Sequence, residues 1–598
     1  MLYAAAFFGS VIDDGAGMLY NMDIVTEGLP MSKNSAKETM LSLAGENRVL
    51  TDGFDAACAV RCHNGVFVGQ QNGDTLSFKG IPYAAQPVGE RRWRAPEKAP
   101  ASDTVYEARY FGHSSIQTEL HSERASYYPQ GEDCLNLNIW LNTADNSRQK
   151  PVMVFFHGGS YGWGGTSDPL YEGTNLVAKF PDIIVVTVAY RTGIMGFIDF
   201  SAVDGGDAYR DSGNLGLLDQ VCALRWLHDN IGAFGGDSAN ITIWGESAGA
   251  GSVSLLPLIA DAKGLFARVI AQSGTVAFTS SREECALLTD KLMKASGCRT
   301  MQQLVALSTN TLMQLNKELN DYNNFPERDG VVLPLDPYAA YENGDVADIP
   351  MLLGTNRDEC RYWINEAEGM VPLLDSKTTY KYIIHIQYEN DRKRFSDQEK
   401  AAIKRFLSAQ KGKRYLAVTE LYNELTFRLP AVRQAQANAR RGGTVYLYYW
   451  DYPSAIDFLG ACHAVELSSV FNNLDDTIYT GKPSDPDLAD TVQRMWVNFA
   501  RCGDPSIEEH PWEPYTDQTK VTMVLGKRIR PIGDLFSGRR KLLLPLTDHY
   551  LHGSYVTMSF NVPTVYKAVL RLVARLGVAA AIVALPISAV IKRRRSPG

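Results

Sequence analysis

The chain has 598 residues, 45% hydrophobic and 21% charged, the make-up of a globular protein that can bury a large core. With 59 basic residues against 67 acidic, its formal net charge of -8 argues against nucleic acid as a main partner. Nine scattered cysteines, an odd count, argue against a dense disulfide framework and for reduced thiols and a cytoplasmic location.

Residues 1–57 show no strong hydrophobic period and read as an N-terminal extension. The opening MLYAAAFFGSV is about as long as a signal-peptide core. No lysine or arginine precedes Lys33, however, and acids follow at Asp13 and Asp14, so a signal peptide is not expected. From Val60 the texture changes. "NGVFVGQQNGDTLSFKGIPYA" carries two Asn-Gly turns between short β-like runs, a hairpin signal. "CLNLNIW" (134–140) alternates strictly, as a half-buried strand does. "PVMVFFHGG" (151–159) and "DIIVVTVAY" (182–190) are continuous apolar runs, as in strands covered on both faces of a parallel sheet.

Helical spacing follows in "LLDQVCALRWLHDNIGAF" (217–234). Strand and helix keep alternating through "GLFARVIAQSG" (264–274) and "IPMLLGTNRDE" (349–359), while residues 365–440 are rich in helix formers that could cover the strand ends. The pattern predicts an α/β fold, a large, mostly parallel sheet with helices on both faces, in one domain spanning 58–546. Residues 547–598 form a basic, apolar tail with no acid after Asp548. Within it, 576–591 is uncharged and is followed by KRRR (592–595), but is shorter than the roughly 20 residues that span a bilayer. Extending the segment to 569–591 reaches that length and includes Arg571 and Arg575, which would have to snorkel. A membrane anchor, and with it membrane contact through the tail, stands beside the alternative of a buried or surface-lying helix.

"ITIWGESAGAGS" (241–252) runs a strand pattern into Gly-Glu-Ser-Ala-Gly and then into residues small enough for a helix to start almost touching the strand. That is the pattern of a nucleophile elbow, with Ser247 at the turn and unpaired helix N–H groups behind it. A serine hydroxyl needs a base held by a third group. Five histidines follow Ser247. His463 lies in the small-residue loop "LGACHAVEL" after a strand-like run, where it can reach the strand ends. His385 sits in an apolar run and is expected to be packed in the core, His510 lies in a polar loop, and His549 and His552 border the tail. Asp358 and Glu359 both follow a buried strand, and spacing alone does not choose the acid between them. The glycine-rich "FFHGGSYGWGG" can bring backbone N–H groups to a substrate carbonyl as an oxyanion hole.

Taken together, "FKGIPYAAQPVGERRWRAP", "EDCLNLNIW", "YRTGIMGF", the long block 213–253, "AQSG" and "WVNFARCGDPS" resemble the type-B carboxylesterases. This α/β-hydrolase group includes the cholinesterases and the bacterial p-nitrobenzyl esterases. The resemblance spans about 65–545. It implies a serine esterase with a catalytic triad of Ser247, Glu359 and His463, oxyanion donors Gly159, Ser160 and Ala248, and Glu246 beside the nucleophile as a carboxylate that helps position His463. It implies no metal or organic cofactor, and a small-molecule ester as substrate. Ser160 replaces the family's frequent glycine or alanine, and Cys360 stands where a glycine usually follows the acid. Secreted members pair the cysteine of the EDCL block with one upstream, yet 97–133 holds no cysteine for Cys134, and none follows Cys298 until Cys360. Nor does any tryptophan lie between Trp93 and Trp140, where cholinesterases carry the ring that binds quaternary ammonium, so a choline ester is not the expected substrate. Small to medium apolar esters are expected. Two other readings are a lipase-like enzyme acting on longer acyl chains at a membrane and a non-catalytic adhesion-type homologue.

Overall fold

The apolar runs become the strands of one sheet. A computed structural model of the chain describes residues 45–117, 128–144, 149–319, 324–366 and 376–546. Its main sheet has eleven strands: β1 (Gln70–Asn72), β2 (Thr75–Pro82), β3 (Asn136–Asn142), β4 (Lys150–Phe156), β5 (Ile184–Val188), β6 (Gly236–Glu246), β7 (Arg268–Gln272), β8 (Met351–Asn356), β9 (Val445–Trp450), β10 (Val521–Leu525) and β11 (Arg530–Gly533). They lie in the order β11-β10-β9-β8-β7-β6-β4-β5-β3-β2-β1. From β10 to β5 every pair is parallel, and both margins are antiparallel. After β4 the chain goes to one side for β5 and then to the other for β6. Strand order therefore reverses around β4, and the loops leaving β4 and β6 emerge side by side at one sheet edge, as at the ligand crevice of open α/β sheets.

Both faces of the central strands are covered, which is why their sequences read as unbroken apolar runs. Val152, Val154, Phe156, Ile241 and Ile243 face one core with Leu217, Val221 and Leu224 of α1 (Leu215–Asn230) and Val253 of α2 (Ala248–Leu255). Met153, Phe155, Val185 and Trp244 face the other, with Val492, Met495 and Trp496 of the helix Pro486–Cys502. The helical middle contains Ser376–Asp391 and Asp397–Ala409, then α3 (Arg414–Tyr422) and α4 (Leu429–Arg440). It packs onto the loop after β8, where the Tyr380 hydroxyl donates to the Cys360 carbonyl at 3.3 Å.

Each Asn-Gly turn closes a hairpin, but in different sheets. Ala59–Cys62 pairs with Gly65–Val68 in a small four-stranded sheet, and β1 pairs with β2 in the main one. Part of the N-terminal extension joins this body: Val49–Leu50 pairs with Val105–Tyr106, and the Asn47 amide donates to the carbonyls of Lys79 and Tyr110. Residues 1–44 and the whole tail 547–598, with its anchor reading, lie outside the described residues. Among the described residues no helix is long and apolar enough to cross a membrane.

One strand differs from expectation. The alternation of "CLNLNIW" pointed to a half-buried strand, yet β3 is buried along its whole length. Its polar positions serve the interior instead. Asn138 accepts from the Gly80 N–H at 2.9 Å and donates to the Thr187 hydroxyl at 2.9 Å. The first bond spans the irregular register between Phe78 and Ile81, where the β2 ladder is interrupted. Polar alternation thus marks backbone repair rather than solvent. Asn138→Ala should leave the half-buried Gly80 N–H without its partner and lower unfolding stability by about 1 kcal/mol, seen as a lower urea midpoint with an unchanged m-value.

Candidate active site

Ser247 stands between β6 and α2 with φ 57° and ψ -121°, outside the regions that side chains favour. Backbone strain of this kind costs about 1–3 kcal/mol and is kept where surroundings enforce it. Here the enforcement is close packing. The Ser247 N–H donates to the Gln272 carbonyl at 2.8 Å, and its carbonyl accepts from the Gly251 N–H at 2.9 Å. A side chain at Gly249 would put a Cβ 1.9 Å from the Phe156 carbonyl oxygen, so only glycine lets α2 start this near β4.

The loop after β4 meets this turn from the neighbouring strand. Gly159 has φ 109°, and a Cβ there would lie 2.1 Å from the Trp163 carbonyl oxygen. Its carbonyl accepts from the N–H groups of Gly162 and Trp163, which curls the loop. Among the described residues, nothing accepts from the N–H groups of Gly159, Ser160 or Ala248, which leaves all three open for an anion. Ser160 itself has φ 52°. A serine there carries left-handed backbone strain of about 1–2 kcal/mol and keeps its N–H.

His463 and Glu359 come together from two loops that are zipped to each other. Asp358 N–H donates to the Ala461 carbonyl at 2.8 Å, Ala461 N–H returns to Asp358 Oδ2 at 3.0 Å, and His463 N–H donates to the Glu359 carbonyl at 3.2 Å. Asn356 Nδ2 adds a bond to the Cys462 carbonyl at 2.8 Å. The pair that spacing left open now separates: Asp358 ties the loops and pairs with Arg357 and Arg361, while Glu359 Oε2 lies 2.7 Å from His463 Nδ1. The other oxygen of Glu359 accepts from Ser273 Oγ at 2.7 Å and from the Asn356 N–H at 2.6 Å, so a fully buried carboxylate is satisfied on both sides. Cys360 lies in a short 3-10 turn and not in the left-handed region, so a side chain fits where a glycine was expected.

The second imidazole nitrogen, His463 Nε2, lies 3.0 Å from Glu246 Oε1, and no hydrogen bond joins His463 to Ser247. Burial alone would push the imidazole pKa down. The Glu246 and Glu359 carboxylates on its two nitrogens outweigh that and hold it well above the ordinary 6.5. Three rings surround the imidazole: Phe427 at 4.9 Å between centroids, Trp363 stacked at 5.8 Å and Tyr362 edge-on at 5.9 Å.

The remaining histidines do other things. His385 is exposed on its helix rather than packed in the core, because the apolar run around it turns Ile383 and Ile384 inward instead. His510 is half-buried in a loop, and His549 and His552 lie outside the described residues. His157, buried at the end of β4, stacks on Tyr190 and is pushed down to about 4 by burial.

Several partners escaped the sequence reading. Ser273 lies inside the "AQSG" block and Glu466 three residues after His463, positions visible as letters but with no pattern that names a role. Glu466 is fully buried, accepts from Gln272 Nε2 at 3.0 Å and from Asn356 Nδ2, and is pushed up to about 7 by burial and by the Glu246 charge. NMR titration of the His463 ring should place its protonation above 6.5, and Glu246→Gln should move it toward lower pH, since one of the two carboxylates holding the proton is gone.

With this geometry in hand, comparison with known proteins finds that the model of the Carboxylesterase family matches residues 56–537. The para-nitrobenzyl esterase of Bacillus subtilis (strain 168) is 34% identical over 485 residues, covering 78% of this chain and 94% of the relative. Neuroligin-2 of Mus musculus is 29% identical over 571 residues, covering 82% of this chain and 67% of its own. In structure, a carboxylesterase of Geobacillus stearothermophilus at pH 6.2 superposes with a TM-score of 0.72 at 32% identity, covering 81% of this chain and 100% of that one.

Proposed function

The chain belongs to the carboxylesterase family and is a carboxylic ester hydrolase of α/β-hydrolase fold, and we propose that it works through Ser247, His463 and Glu359 with an acyl-enzyme intermediate. The observation that carries this reading is the 2.7 Å contact between Glu359 Oε2 and His463 Nδ1, buried beside a strained elbow serine. Glu359 fixes the tautomer in which Nδ1 holds the proton, which leaves Nε2 free to act as base.

Neutral His463 leaves Glu246 and takes the Ser247 hydroxyl proton on Nε2 as Oγ bonds to the ester carbonyl carbon. The carbonyl π electrons move to oxygen, and the N–H groups of Gly159, Ser160 and Ala248 receive that oxyanion. Losing one such donor costs about 3 kcal/mol of transition-state stabilisation. On collapse the ester C–O bond breaks, and the alcohol leaves with the proton from Nε2. Water then attacks the acyl-enzyme, its proton goes to Nε2, and the carbonyl–Oγ bond breaks. The acid is released and Ser247 regains its proton. Small to medium apolar esters are the proposed substrate class, supported by the apolar rings of Phe427, Trp363 and Tyr362 beside the imidazole.

The second reading is a non-catalytic, adhesion-type homologue. Retention of Ser247, Glu359 and His463 together supports the enzyme. A chain-length series of p-nitrophenyl esters separates these readings. Wild type should hydrolyse short and medium chains fastest, and Ser247→Ala should lose about 10⁴-fold or more. Undiminished turnover by Ser247→Ala would sink the triad, and a maximum at long acyl chains would move the substrate class to lipids. Because only the neutral imidazole can accept the proton, kcat/KM should rise with pH along a limb centred above 6.5, and Glu246→Gln should shift that limb toward acid.

A further inference from the structure

Between α3 and α4 the helix changes type. Asn423–Arg428 forms a six-residue π-helical run, all of it buried, and the Leu429 N–H closes it by donating to the Glu424 carbonyl five residues back. The sequence supplies a reason in Pro430, which follows at the start of α4. Proline has no N–H to give, and in a regular α-helix its ring would collide with the carbonyl four residues earlier, that of Thr426. Widening the turn relieves that clash. Such π segments recur at functional sites, and this one lies against the loop that carries Glu359.

Geometry shows what the widening achieves. In an α-helix, residues five apart are turned about 140° from each other, so Asn423 and Arg428 would look in different directions. With bonds between residues five apart, the two come onto one face. Both then brace the acid loop. Asn423 Oδ1 accepts from the Cys360 N–H at 2.8 Å, next to Glu359, and Arg428 Nη2 donates to the Arg357 carbonyl at 2.7 Å. Arg428 is itself anchored on Glu424 and lies over the Tyr449 ring at 5.1 Å. Asn423 Nδ2 is held by Glu420 Oε2 at 2.7 Å. The same run sends Phe427 to the face of His463, 4.9 Å away. One distorted turn therefore touches both the proposed acid's loop and the proposed base.

We propose that the π-helical turn Asn423–Arg428 sets the Glu359–His463 distance, with Asn423 and Arg428 as positioning residues for the acid loop and Phe427 as the positioning residue for the imidazole. This rests on the triad reading above. None of the three reacts with substrate. They act by holding a carboxylate and a ring at hydrogen-bond distance, where a displacement of about 1 Å reduces rate about 10²-fold.

Kinetics on a p-nitrophenyl ester with the full chain test this. Asn423→Ala should lower kcat by about 10²-fold with KM changed less than about twofold. It should also move the acid limb of kcat/KM toward lower pH, because a displaced Glu359 holds the imidazole proton less well, while Glu246 and Glu466 still face the ring and its surroundings. Pro430→Ala is the second variant. It restores the missing N–H and favours helix, so Tm should hold or rise while kcat falls and the limb shifts. Wild-type kcat and an unmoved limb in Asn423→Ala or Pro430→Ala would overturn the proposal. An inactive wild type would instead remove the triad reading beneath it.

Discussion

A buried carboxylate facing a buried imidazole is the contact on which the rest of the site depends. Glu359 is out of water entirely and His463 nearly so. An ionised carboxylate survives there only if its lone pairs are occupied. Ser273 Oγ and the Asn356 N–H occupy one oxygen, and His463 Nδ1 the other. Each of those groups must be fixed in turn. The cross-bonds among Asp358, Ala461, Asn356 and Cys462 can be understood as the frame that keeps the two loops in step. Asp358, adjacent in sequence to the proposed acid, belongs to that frame and not to the contact.

Strain gathers at the neighbouring turn for a related reason. Ser247 and Ser160 both have left-handed φ values, at the ends of adjacent strands where the sheet order reverses. The reversal brings the loop after β4 beside the elbow. Dense strand–helix packing, with Phe156 against Gly249, holds the elbow in a conformation that an isolated chain would abandon. Folding energy from a large two-faced core thus maintains a few unfavourable residues where backbone N–H groups must converge.

Most of this architecture could be read from the letters because periodicity reports burial. Unbroken apolar runs gave β4 and β5, the Asn-Gly turns gave both hairpins, and Gly-Glu-Ser-Ala-Gly after a strand gave the elbow. Where solvent exposure and interior polarity look alike, the letters were ambiguous. The asparagines of β3 alternate like surface residues yet repair a broken ladder inside the sheet, and His385 lies in an apolar run yet points outward. The acid could not be chosen by spacing, since Asp358 and Glu359 are adjacent and only the three-dimensional frame separates them. Ser273, Glu466 and the contacts that the π turn makes with the acid loop were invisible for another reason: their partners lie far along the chain, as with Glu359 and Ser273 or Cys360 and Asn423. No local pattern encodes such pairs.

Glu246 has two opposed effects in the proposed mechanism, and their balance follows from charge alone. Facing Nε2 at 3.0 Å, it stabilises the imidazolium and so raises the pKa of the base in the resting enzyme. That makes the reactive neutral form scarcer at low pH. Yet imidazolium is the form His463 adopts once it has taken the serine proton, so the same carboxylate stabilises the tetrahedral intermediate more than the neutral ground state. A third buried carboxylate, ionised beside these two, would add repulsion with no new partner. Glu466, pushed up to about 7, is protonated over the acidic half of the range and limits that repulsion there. The cluster then exchanges some activity at low pH for stronger transition-state stabilisation once His463 is neutral at rest.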